Sequence, residues 1–246
     1  MHFESWQWVL LAVAALFFGL SKTGIPGISM VSVGILANLM PAQQATGVVL
    51  PMLIFADGFA FFIYRKNLEW RRVGRLLPWA VGGVVAGWFA LGRINNEQTA
   101  QVVGGIIALM LGLHVWRQRK NAERLATQAP AWFGPAMGVF AGVTTMIANA
   151  AGPVMTLYLL AMRLSKLEFL GTGAAFFLVI NWIKVPFAVH LGLITPASLI
   201  LNLWLLPAVA VGALLGRPLV ERVNQRWFEN IALGLAALTA IKLLFF

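Results

Sequence analysis

Apolar runs close to the length of a membrane-crossing helix recur along the whole chain: Thr46–Tyr64, Val73–Gly92, Ala100–Trp116, Phe169–Val189, Ala197–Gly216 and Phe228–Phe246. Bilayer hydrocarbon is about 30 Å thick, and a helix rising 1.5 Å per residue needs about 20 residues to cross it. No water lies at that depth to satisfy a free N–H or C=O, so a span must be a helix or part of a closed barrel. Barrel strands alternate apolar and polar residues. These runs do not alternate, and they read as helices. The 246 residues are 60% hydrophobic and carry only 18 Lys and Arg and 8 Asp and Glu, too few to coat a soluble domain of this length.

The net charge of +10 would suit a nucleic-acid partner if the cations were clustered. They are not. Fourteen fall in short loops between apolar runs, at Arg65, Lys66, Arg71, Arg72 and Arg75, at the four cations of 117–124, at Arg163 and Lys166, and at Arg217, Arg222 and Arg226. Cation-rich short loops face the cytoplasm. That rule alternates along the chain, leaving only Arg93 and Lys242 outside, and it puts both termini on the outer side. Residues 1–20 lack the basic start and the cleavage site of a signal peptide.

The polar stretch Arg117–Pro130 divides the sequence into two resembling halves, 1–117 and 131–246, with 118–130 as a cytoplasmic linker. Thr46-Gly47 matches Thr172-Gly173 at an offset of 126; Pro78, Gly83, Gly87, Arg93 and Gly105 match Pro207, Gly212, Gly216, Arg222 and Gly234 at 129. Each half opens on two short apolar pieces with a break between them. The first pair is Trp6–Leu20 and Ile28–Met40, broken at 21–27; the second is Phe133–Val143 and Pro153–Met162, broken at 144–152. Pieces of this length reach only about 15–22 Å. The expected fold is an all-α polytopic membrane protein of two inverted repeats, each a broken or re-entrant short helix pair followed by three transmembrane helices. The loop charges give the halves opposite orientations. Inverted repeats with matching broken helices form a transporter architecture that binds its substrate near the midplane.

The breaks are therefore the first candidate site. Irregular backbone at membrane depth is tolerated where it is buried or lines a wet cavity. A helix restarting near Ile28 or Pro153 presents free N–H groups and a positive dipole end, which suit a small anion. Ser21, Thr23, Thr144, Thr145 and Asn149 add neutral hydrogen-bonding groups, and Gly24, Gly27 and Gly152 allow close backbone approach. The plainer alternative is that these small residues only let helices pack. Lys22 lies in the first break, where a cation costs about 3 kcal/mol on insertion scales and normally has a task or a partner; snorkelling to water is the alternative. Lys184 and Asp57 fall inside whole spans at nearly equivalent places, since Asp57 maps to Ile183. Lys184 would attract the anion and Asp57 would exchange a proton, unless both are merely solvated near span ends.

Other chemistry is thinly represented. The chain has no cysteine, hence neither disulfides nor thiolate metal sites. His2, His114 and His190 form no metal-ligand spacing, and no nucleophile–base set or phosphate loop is present. No cofactor, no metal and no catalytic residue is expected. Trp6, Trp8, Tyr64, Trp70, Trp116, Trp132 and Trp227 lie near run ends and read as interface anchors.

Residues 18–29 (FGLSKTGIPGIS), the following 45–51 (ATGVVLP) and the duplicated half together resemble the sulfite exporter TauE/SafE family, over essentially the whole chain. Many members carry a run of glycines in each half; here the first break has only Gly24 and Gly27, and the second only Gly152. The resemblance implies a bacterial inner-membrane permease for small anions such as sulfite, sulfonates or related organic acids. The expectation is an exporter working by alternating access, not an enzyme, with no nucleic-acid partner. A passive anion channel and a structural or enzymatic membrane subunit are the alternatives. Broad apolar faces are compatible with a homodimer.

Overall fold

A computed structural model describes residues 3–91, 93, 98, 101, 103–109, 111–112 and 132–245. Every regular element among them is helical. Nine helices have defined ends: α1 (Ser5–Thr23), α2 (Ser29–Leu39), α3 (Ala42–Tyr64), α4 (Trp70–Leu91), α5 (Phe133–Ala148), α6 (Ala151–Ala161), α7 (Lys166–His190), α8 (Pro196–Arg222) and α9 (Gln225–Phe245). The described residues among 98–112 are helical too. The expected linker 118–130, His2, His114 and Trp116 lie outside the described residues.

Among the described residues five helices are long and apolar enough to cross a bilayer: α1, α3 from Gln44, α4 to Ala90, α7 and α8. The chain is thus a multi-pass membrane protein. The two interruptions fall close to where the sequence puts them, but the first helix of each pair runs further than expected. The first helix has 19 residues, about 28 Å, because it continues through Ser21 and Lys22 instead of stopping at Leu20. Nothing at Ser21–Thr23 breaks a helix; the chain leaves it at Gly24 and turns at Gly27, whose φ of 96° suits only glycine. The pieces α2 and α6 are short as expected, with 11 residues each, but α5 has 16 and continues through Thr144 and Thr145 to Ala148, past the expected end at Val143, so the second break is confined to Asn149 and Ala150.

The helices sort into two compact units that cut across the sequence halves. The first contains α1, α2, α3, α7, α8 and the start of α9; the second contains α4, α5, α6 and the rest of α9.

In the first unit α1 packs on α8 backbone to backbone. Gly19 abuts the Val209 carbonyl, Gly212 abuts that of Leu16, and a Cβ on Gly24 would lie 2.8 Å from the Gly216 Cα. Lipid supplies little hydrophobic drive between helices, so close approach of small residues does the packing. Helices α3 and α7 run antiparallel. Gly47, near the start of α3, meets the Leu193 carbonyl just beyond α7, while Gly171, near the start of α7, meets that of Tyr64 at the end of α3. Tyr64 is buried, and its hydroxyl donates to the Thr23 carbonyl at 2.5 Å, which corrects its reading as an interface anchor. Trp6, Trp70, Trp132 and Trp227 are all exposed.

The second unit repeats the first contact with other residues. Gly83 of α4 abuts the Val139 carbonyl of α5, and Gly142 abuts that of Ala80. Ala80 and Gly83 stand 129 positions before Val209 and Gly212; Leu16 and Gly19 stand 123 before Val139 and Gly142. The same pair of glycine contacts therefore closes a helix crossing in each unit.

The start of α7 is tied to the end of α8. Lys166 Nζ donates to the carbonyls of Val220 at 2.8 Å, Glu221 at 3.3 Å and Val223 at 2.5 Å, and its N–H donates to Gln225 Oε1 at 2.8 Å. An ammonium group thus satisfies carbonyls that the helix end leaves free and meets the negative end of the dipole. Hydrogen bonds to charged groups contribute about 1.5–3 kcal/mol. Lys166→Met is expected to lower stability by about that much and to raise amide exchange at Val220–Val223, read by hydrogen–deuterium exchange.

Candidate functional site

Lys22 occupies the last turn of α1, not the break. A helix C-terminus carries partial negative charge, so the dipole of α1 favours the ammonium where it stands. Its side chain is 12% exposed, and its Nζ lies 2.8 Å from Asp57 Oδ1 on α3. The same nitrogen lies 3.9 Å from the centroid of the Phe177 ring on α7, within cation–π range. Asp57 is fully buried. Its other oxygen, Oδ2, accepts from Asn181 Nδ2 at 2.8 Å, and Asn181 Oδ1 lies 3.5 Å from Lys184 Nζ. Asn181 and Lys184 are buried as well.

Three helices of the first unit thus bring two lysines, one aspartate and one amide into a largely buried cluster. Phe177, Asn181 and Lys184 share one face of α7 because they follow the i, i+4, i+7 spacing. Neither Lys184 nor Asp57 is solvated at a span end. Asp57 is instead held from two sides, by an ion pair with Lys22 and a hydrogen bond from Asn181. Asn181 and Phe177 were missed in the sequence. A signal for Asn181 was present, since it is an amide in the middle of an apolar run three residues before a lysine, and polar groups at that depth require partners.

The other break residues of this unit serve the packing of α1. Thr23 is fully buried, with its hydroxyl donating to the Gly19 carbonyl at 3.2 Å, and both Thr23 and Gly24 lie against Gly216. Ser21 is buried. In the second unit, Thr144 and Thr145 belong to the last turns of α5. The Thr144 hydroxyl donates to the Phe140 carbonyl at 2.7 Å. Asn149 caps α5 in the left-handed conformation, φ 52°, which asparagine tolerates better than most residues. Its N–H donates to the Thr145 carbonyl and that of Ala150 to the Thr144 carbonyl, both at 3.1 Å. Gly152 is the second residue of α6, where a Cβ would meet open space, and Pro153 sits in that first turn as expected.

The family model described as Sulfite exporter TauE/SafE matches residues 11–243. The chain belongs to the TauE/SafE family. The match runs from α1 into α9 and takes in all four residues of the buried cluster, so the cluster belongs to the family's own domain. A similar TauE/SafE-type sequence is the "Probable inner membrane transporter protein TsaS" of Comamonas testosteroni, 26% identical over 165 residues, covering 64% of this chain and 65% of that protein. The chain thus matches somewhat less than two thirds of that relative's length. No solved structure matches.

Proposed function

We propose that this TauE/SafE protein is a carrier that moves small anions of the sulfite, sulfonate or related organic-acid class outward across the bacterial inner membrane. The observation that carries the reading is the make-up of the buried cluster: two lysines, Lys22 and Lys184, to one acid, Asp57, with Asp57 paired to Lys22 and Lys184 lying against Asn181. A structural ion pair needs one of each. A second lysine beside the ion pair is suited to attract an anion, and ionisable residues at that depth mark substrate pathways. Asn181 is positioned to donate to an oxyanion as it does to Asp57. The N–H groups opening α2, in the same unit, complete the set of groups proposed to line the path.

Alternating access follows from a duplicated module. The repeated glycine contacts of α1 with α8 and of α5 with α4 support the duplication, and the antiparallel packing of the matched helices α3 and α7 supports inversion. The cation pattern of the loops supports termini on the outer side.

The test is flux in reconstituted vesicles with sulfite, methanesulfonate and acetate. A carrier shows exchange that accelerates when the same anion is present on the far side, and Lys184→Met lowers it. Flux without that acceleration identifies a channel, and rates equal to those of empty vesicles for every anion overturn the proposal.

A further inference from the structure

In this conformation Lys22 is already occupied. Lys22 Nζ is 2.8 Å from Asp57 Oδ1, and Asp57 is wholly enclosed. An anion that takes Lys22 therefore evicts a carboxylate that has no water to turn to. An ionised carboxylate left in a dry interior without its cation is strongly disfavoured, whereas the neutral acid is not. Asn181 bridges the two outcomes, because its amide nitrogen donates to Asp57 Oδ2 and its oxygen faces Lys184.

We infer that Asp57 is the tethered counter-anion of Lys22, and that a substrate monoanion displaces it only as the carboxylate takes up a proton, so that one proton is bound with each anion. The inference rests on the anion-site reading above. The charge of the cluster is the same in both states: Lys22 faces Asp57 when the site is empty, and the substrate when it is filled beside a neutral Asp57, with Lys184 unchanged. The proton adds to a carboxylate oxygen, and no other bond changes.

The groups facing Asp57 are few. Helices α1, α2, α7 and α8 pack with α3 or against its partners. Lys22 comes from α1 and Lys184 from α7, and these are the charged groups acting on it. No ionisable residue lies in α2. The ionisable residues of α8 are confined to its last turns, where Arg217 and Glu221 are half exposed and paired with each other at 2.9 Å. Lys166, Glu168 and His190 lie at the ends of α7.

The probe is methanesulfonate, which stays a monoanion at all relevant pH. Its affinity for the purified full chain is measured by calorimetry between about pH 5.5 and 8.5. Wild type should bind about tenfold more weakly for each unit of pH increase once Asp57 is ionised, the slope of one linked proton. Asp57→Asn should bind with no pH slope, while His190→Asn should keep the slope. A flat wild-type profile, or a slope retained in Asp57→Asn, overturns the inference and leaves the carrier reading standing. Should Asp57→Asn fail to fold, the dependence of the wild-type binding heat on buffer ionisation enthalpy decides. About one proton taken up per anion supports the inference; none overturns it. Absence of any methanesulfonate or sulfite binding by wild type overturns both readings.

Discussion

Lys22→Ala is expected to abolish anion exchange and to lower stability by about 3–5 kcal/mol, the cost of leaving one member of a buried ion pair without the other. Asp57 has no exposure, and Asn181 and the more distant Lys184 would remain to stabilise its charge. For a chain of this size each kcal/mol corresponds to about 2–4 °C, so the melting temperature should fall by about 10 °C. The double variant Lys22→Met with Asp57→Leu separates the two effects. Replacing both charges with apolar groups is often neutral or stabilising. The double variant should therefore melt at or above the wild-type temperature and still carry no anion. Wild-type exchange by the double variant would make the pair a structural bridge between α1 and α3 and nothing more.

Two neighbouring glycines should respond to the same substitution with opposite signs. Gly83→Ala drives a methyl group into the Val139 carbonyl, with the Gly142 Cα only 3.0 Å from the new atom. Both obstacles are backbone, so relief requires α4 and α5 to separate. Overpacking of this kind costs about 1–3 kcal/mol, and the rigid neighbours put this case at the upper end. Gly82→Ala meets nothing within 4 Å, and alanine in a helix is favoured over glycine by about 0.5–1 kcal/mol. Thermal melts of the two variants in one detergent should fall on either side of wild type. Gly212→Ala repeats the Gly83 prediction in the other unit, against the Leu16 carbonyl. Equal melting temperatures for Gly82→Ala and Gly83→Ala would contradict the close crossing of α4 and α5.

The span helices were legible because their signal is local: an apolar run of sufficient length has no other stable form in lipid. The breaks were legible for the same reason, through Gly24, Gly27 and Pro153. The end of α1 was misplaced because Ser21-Lys22-Thr23 reads as polar punctuation, and polarity alone does not end a helix. Gly24 does, against Gly216. Tyr64 was misassigned because a tyrosine at a run end satisfies the rule for interface anchors equally well, whichever way its ring turns.

For the candidate site, residue type was readable and partnership was not. Lys22, Asp57 and Lys184 stood out as charges in apolar surroundings. Their convergence depends on α3 lying antiparallel to α7, which brings Asp57 to Asn181 across a sequence separation of 124. The sequence on its own established helices, their breaks, the duplicated spacing and the membrane as solvent, because each of these depends on neighbours within a few turns. Only the folded arrangement decided that Lys22 faces a carboxylate instead of open space, because burial makes an unpaired charge expensive and the nearest partner lies on another helix.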